Sequence, residues 1–188
     1  AFLFPGQGSQ TVGMGAGLSA AYNIAKDTFN DADQVLGFPL KEIAWQGPSE
    51  KLNDTQYTQP ALMVHSVAAL RVFDELFPGF TPKFVAGHSM GELTALAASE
   101  SLDFESSLRL ARTRGESMKS ADKIAPGGMA AIIGLTIPTL EDICIQASKG
   151  EEIVQVANDN CPGQVVISGS THALERAMEL SRAAGARL

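Results

Sequence analysis

The sequence predicts an α/β protein: a parallel sheet covered by helices, joined to a smaller βαββαβ unit. Three observations carry this. Apolar strand-like runs alternate with long helical stretches through the first two thirds of the chain. The run Lys83 to Gly87 turns through Gly87-His88-Ser89-Met90-Gly91 straight into a helical stretch, GELTALAAS. After Pro126-Gly127-Gly128 the pattern changes to short strands and two helices.

Taken in order, Ala1 to Phe4 reads as a strand, and Pro5-Gly6-Gln7-Gly8-Ser9-Gln10 as the loop that leaves it. Apolar spacing predicts helices near Ala20 to Leu36, Thr58 to Phe77, Gly91 to Ser99 and Phe104 to Ala121. Beyond the glycine pair, Met129 to Leu135 reads as a strand, Pro138 to Ser148 as a helix and Ile153 to Ala157 as a strand. Asn158 to Gly163 reads as a turn, Gln164 to Ser168 as a strand and Thr171 to Ala184 as a helix, with Leu188 entering a last strand. That order is the ferredoxin-like, split-βαβ pattern. The chain starts without Met inside an apolar run and ends at Gly185-Ala186-Arg187-Leu188, so both ends read as cut.

Composition narrows the function classes. The chain has 188 residues, 45% hydrophobic and 19% charged, which fits a globular α/β protein of one domain or slightly more. A net charge of -7 argues against a general nucleic-acid or membrane-surface binder. Cys144 and Cys161 form neither a disulfide framework nor a metal cluster and point to a reducing compartment; no metal site is expected. Neither a membrane span nor a signal peptide is visible.

The strand–turn–helix around Ser89 is a nucleophile elbow, the G-x-S-x-G of α/β-hydrolase-like proteins. The pentapeptide alone would occur by chance in roughly one of seven chains of this composition, so its context carries the weight. Glycines on both sides allow a tight turn, and negative charge at the serine would face a helix N-terminus. The loop at Gln7 follows a strand at the end of a sheet where α/β proteins bind ligands, and could supply a second oxyanion donor. On a wheel at ~100° per residue, Leu110, Ala111, Met118 and Ala121 share one face with Arg114 at its centre. Arg109, Arg112, Glu116 and Lys119 fall opposite, with Lys123 just beyond, and read as a cationic band that could guide an anionic partner. An arginine on an apolar stripe requires a counter-ion, either an internal acid such as Glu92 or a bound anion.

The motifs FPGQGSQ (Phe4 to Gln10), TQPA (Thr58 to Ala61), GHSMGE (Gly87 to Glu92), RTRGESM (Arg112 to Met118), GGMAAIIG (Gly127 to Gly134) and ANDNCPGQVVISG (around Asn158 to Ser168) occur in this order. Together they closely resemble the malonyl-CoA:acyl carrier protein transacylases of fatty acid synthesis and the related acyltransferase domains of polyketide synthases. The resemblance implies a cytoplasmic enzyme of lipid metabolism that moves malonyl from coenzyme A to the phosphopantetheine thiol of an acyl carrier protein. The coenzyme A thioester is then a substrate, and no bound cofactor is implied. The partners implied are malonyl-CoA and the carrier, with no nucleic acid and no membrane.

By resemblance Ser89 is the nucleophile, the backbone N–H groups of Gln7 and Met90 form the oxyanion hole, and Arg114 holds the malonyl carboxylate. Met90 fits malonyl better than methylmalonyl, since methylmalonyl-type domains usually carry Gln after the serine. The family's general base is a histidine in a later motif; His65, His88 and His172 do not match it. The resemblance divides the chain into residues 1–125, the N-terminal part of the hydrolase-like domain, and residues 126–188, the ferredoxin-like subdomain with its last strand truncated. The remainder of the large domain is then expected outside this chain. Two other classes stay open: a hydrolase-type esterase or thioesterase sharing only the elbow, and a non-catalytic scaffold.

Overall fold

The computed structural model describes residues 1–187, and for Asp122 the backbone alone. The last strand expected at Leu188 lies outside them. The chain separates into two compact units, Ala1–Ser120 and a second beginning at Ala121.

In the first unit β1 (Phe2–Phe4) and β2 (Val85–Gly87) pair in parallel, Phe2 opposite Val85 and Phe4 opposite Gly87. Five helices lie between them: α1 (Ala16–Ala21), α2 (Asn23–Leu36), α3 (Leu40–Gln46), α4 (Ser49–Leu52) and α5 (Thr55–Leu76). After β2 come α6 (Gly91–Ala98) and α7 (Phe104–Ile124). The helix expected over Ala20 to Leu36 is thus two, broken where Tyr22 is extended (φ -131°, ψ 124°). Helices α3 and α4 lie where no element was expected; they are short, and Gly47-Pro48 interrupts their apolar pattern.

Helix α5 is the central element, because most of its length is apolar on more than one face. Ala61, Leu62, Met63, Val64, Val67 and Ala68 are buried against Phe29, Leu40, Ile43 and Leu52. Asp54 caps it, accepting from the Gln56 N–H. Pro60 inside it removes one N–H donor, so the Gln56 carbonyl one turn earlier loses its usual helical partner.

In the second unit β3 (Gly127–Ile133), β4 (Val154–Cys161) and β5 (Gln164–Ser170) form an antiparallel sheet in the order β3-β5-β4. Arg187 bridges antiparallel to Ile133 on β3. Helices α8 (Ile137–Ala147) and α9 (Thr171–Ala183) enclose a core that includes Ile132, Leu140, Val165, Ile167 and Ala177. The turn expected over Asn158 to Gly163 is mostly strand. β4 runs on to Cys161 through two register shifts, and only Pro162-Gly163 turns, with Gly163 at φ 84°. Polar residues concealed this stretch: Asn158, Asp159 and Asn160 have turn preferences, and the ladder they enter is irregular.

Candidate active site

The elbow is built by close approach of backbones. A Cβ on Gly87 would lie 1.9 Å from the Gly91 carbonyl carbon, and one on Gly91 would lie 2.3 Å from the Phe4 carbonyl oxygen. Neither glycine has the positive φ that only glycine adopts freely; both are needed so that α6 can press against β1 and β2. The residue with the unusual backbone is Ser89, at φ 54°. The turn around it is closed by hydrogen bonds from the Gly91 N–H to His88 O (2.8 Å) and the Glu92 N–H to Ser89 O (3.1 Å). Ser89 is exposed, and the next residue, Met90, is buried at the head of α6. The first N–H groups of a helix have no intrahelical acceptor, so negative charge at the serine oxygen would be favoured here.

Gln7 follows β1 in an exposed loop that is packed against the same elbow. A Cβ on Gly6 would meet the His88 ring and carbonyl at 2.7 Å. The His88 N–H donates to Phe4 O, joining the end of β1 to the elbow. The Gln7 side chain is itself held: its Oε1 accepts from the Thr55 hydroxyl at 3.0 Å.

Arg114 comes to Ser89 from α7. Its Nη2 donates to Ser89 Oγ at 3.0 Å, and its Nη1 to Gln59 Oε1 at 2.7 Å. Among the described residues no ion pair involves Arg114, so of the two alternatives the internal acid such as Glu92 does not fill that role. Helix α7 can lie this close to the start of α5 because of Gly115, where a Cβ would sit 2.6 Å from Thr55 O. Arg112 then donates to the Gln56 carbonyl at 2.8 Å, the acceptor that Pro60 left without its helical donor.

The wheel reading of α7 needs correction. The buried stripe is Leu108, Ala111 and Gly115, whereas Leu110 and Met118 are exposed. Arg112 belongs beside that stripe, stacked on Phe38 and Tyr57 and paired with Glu116. Lys119 pairs with Asp54, whose carboxyl burial pushes up while hydrogen bonds from Lys119 and Gln56 bring it below its usual value. Arg112 and Lys119 of the cationic band are therefore spent on internal contacts, whereas Arg109, paired with Glu105, and Lys123 stay exposed. The wheel was centred one residue away because Gly115 carries no apolar side chain to mark the contact face.

Sequence reasoning singled out Ser89, Gln7, Met90 and Arg114 as candidates and gave Gln59 and Thr55 no role. Gln59 is fully buried in α5, where a polar side chain needs a partner; that was the available signal. Of the histidines, His65 is half-buried in α5, and burial holds it below its ordinary value of 6.5. His172 is exposed beside Glu175 in the second unit. Among the described residues no cluster of His, Cys, Asp and Glu could hold a metal, and no helix is long and apolar enough to cross a membrane.

The model of the acyl transferase domain family matches residues 1–188. The chain is 48% identical over its whole length to the malonyl CoA-acyl carrier protein transacylase of Haemophilus influenzae, covering 60% of that protein, and 43% identical to that of Bacillus subtilis, covering 58%. It superposes on the acyl-carrier-protein S-malonyltransferase of Bartonella henselae with a TM-score of 0.95 at 42% identity, over 100% of this chain and 60% of that one. It superposes on a malonyl-transacylase in complex with a type II PKS acyl-carrier protein with a TM-score of 0.91 at 43% identity, over 99% and 60% of the two chains. The chain thus spans about 60% of the length of the relatives it matches.

Proposed function

Because the chain belongs to the acyl transferase domain family, we propose that Ser89 is the nucleophile that takes a malonyl group from coenzyme A and passes it to the phosphopantetheine thiol of an acyl carrier protein, in fatty acid biosynthesis. The observation that carries this reading is the Arg114 guanidinium 3.0 Å from the Ser89 hydroxyl. A permanently charged, planar fork beside an exposed nucleophile suits an acyl group that ends in a free carboxylate. A simple esterase has no use for that cation. The names of the relatives from Haemophilus influenzae, Bacillus subtilis and Bartonella henselae support the same reading.

In the proposed reaction the Ser89 oxygen attacks the thioester carbonyl carbon and gives up its proton to a base. The carbonyl oxygen takes the negative charge, facing the backbone N–H groups of Gln7 and Met90. The carbon–sulfur bond breaks, coenzyme A leaves with a proton as the thiol, and malonyl remains as a serine ester. The carrier's thiol then attacks that ester, and Ser89 regains its hydroxyl. Coenzyme A takes part as substrate, and the chemistry calls for no bound cofactor. The base is assigned to none of His65, His88 and His172.

The same reading covers the finer architecture and the setting. Parallel β1 and β2 with the elbow support a hydrolase-like large domain over residues 1–125. The order β3-β5-β4, with Arg187 beside β3, supports a ferredoxin-like subdomain over residues 126–188. Work on malonyl-CoA and a soluble carrier would place the protein in the cytoplasm, away from nucleic acid and membrane. A carrier from polyketide synthesis is the second reading, favoured by the type II PKS carrier in the structure of a relative.

The test is mass spectrometry of the full-length protein after incubation with malonyl-CoA. A malonyl adduct is expected on the wild type and not on Ser89→Ala, which should keep its fold while losing several orders of magnitude in rate. An adduct that persists in Ser89→Ala overturns the assignment.

A further inference from the structure

Gln59 has no place in the reaction just described, yet it is fully buried in the first turns of α5 and every polar atom of its side chain is engaged. Arginine can only donate, so the amide must turn its Oε1 toward Arg114. That orientation forces Nε2 the other way, where it donates to the Thr55 hydroxyl at 2.9 Å and to Met118 Sδ at 3.1 Å. The Thr55 hydroxyl has one proton, and with its oxygen already accepting from Gln59 it donates that proton to Gln7 Oε1 at 3.0 Å. The bonds therefore run in one direction, from Arg114 through Gln59 and Thr55 to Gln7. Bonds aligned in this way polarise one another, and a buried one is costly to leave unmade.

The chain of bonds fixes what Arg114 has left to offer. One Nη1 proton goes to Gln59 and one Nη2 proton to Ser89 Oγ, so three of the five guanidinium protons remain for a ligand. Gln59 is neutral. It aims the guanidinium without cancelling its charge, which a carboxylate at the same place would do.

We propose that Gln59 is a specificity-determining positioning residue: its buried amide holds Arg114 ready for the carboxylate of the acyl group and, through Thr55, ties that arginine to the Gln7 loop. This rests on the acyl-transfer reading above and adds to it the residue that sets the choice of acyl group. It acts through Arg114 and is not itself a catalytic residue.

The experiment uses the full-length protein and measures carrier acylation from malonyl-CoA and from acetyl-CoA. The wild type decides the underlying reading: if it transfers malonyl no better than acetyl, that reading fails first. Given a wild-type preference, Gln59→Leu should lower the malonyl-to-acetyl ratio of kcat/KM about tenfold, chiefly through the malonyl KM. Gln59→Glu should lower the ratio further, because its carboxylate occupies Arg114 and competes with the substrate's own. Thr55→Val, which keeps shape and loses the hydroxyl, should lower the ratio several-fold, and Thr55→Ser should restore it. Thr55 is only half-buried, so this pair decides the matter even if the Gln59 variants do not fold. A ratio unchanged in Gln59→Leu and in Thr55→Val, with both thioesters slowed alike, would make Gln59 a structural residue and overturn the proposal.

Discussion

Ser89 holds a backbone conformation that costs an ordinary residue about 1 kcal/mol or more, at φ 54° between an apolar strand and a helix. Replacement by alanine keeps that cost, and replacement by glycine removes it. We therefore expect Ser89→Gly to be more stable than Ser89→Ala by about 0.5–1 kcal/mol in denaturant titrations, the reverse of the usual order for the two residues. Equal stabilities, or alanine ahead, would mean that the elbow stores no strain. For Arg114 the expectation follows from its donors. Arg114→Ala should lower malonyl transfer by roughly 30- to 1000-fold, as removal of a charge-assisted pair of about 2–4 kcal/mol implies, and narrow or invert the preference over acetyl. An unchanged ratio of the two rates would show that the arginine serves only to hold Gln59 and Ser89.

At the scale of elements, the site depends on how closely helices can approach their neighbours, and three glycines set that distance. A methyl group at Gly87 or Gly91 would collide with backbone that has nowhere to move, so alanine there should cost about 3 kcal/mol or more. At Gly115 the collision is with Thr55 O at 2.6 Å, and alanine should push α7 off α5, weakening the Arg114 to Gln59 and Arg112 to Gln56 bonds together. Gly17 in α1 is the control. It has open space around its Cα, and alanine there should be neutral or stabilise by up to about 1 kcal/mol. Thermal melts of the four variants check this; a Gly115→Ala protein as stable and selective as the wild type would refute the close-approach account. Pro60 works at the same scale, since it frees the one carbonyl of α5 that Arg112 occupies.

For the whole molecule, two of the partly buried groups shape the acid limb of stability. His65 is held below 6.5 by burial, so the folded protein resists a proton that the unfolded chain accepts. Its stabilising effect is present above pH 6.5 and lost as pH falls through the lower folded value. Asp54, also below its ordinary 3.8, behaves alike in a more acidic window: its contribution is present above that value and fades below it. Stability measured by urea titration should therefore fall as pH drops below about 6.5 in the wild type, and fall less steeply in His65→Gln. Identical slopes would remove His65 from the account. Under the proposed acyl transfer the net charge of -7 sets a further condition, because coenzyme A is polyanionic. Arg112 and Lys119 are engaged within the fold, and Arg114 is the α7 cation that reaches Ser89, its Nη2 3.0 Å from the hydroxyl oxygen.

Much of this was legible in the residues themselves. Alternating apolar runs and breakers located both strands of the parallel pair, the long helices and most of the second unit, because those signals are local in sequence. The order of the motifs pointed to the family, and the elbow and RTRGESM drew attention to Ser89 and Arg114. What the sequence could not determine is long-range. Which face of α7 is buried depends on a glycine that leaves no apolar mark, and β4 extends through Asn158 to Cys161 because β5 pairs with it, against the turn preference of those residues. That Arg114 finds Gln59 and Ser89, 55 and 25 positions away, depends on backbones meeting at Gly115 and Gly91. Spacing along a chain records which residues share a face; which faces meet, and at what distance, is decided only when the helices pack.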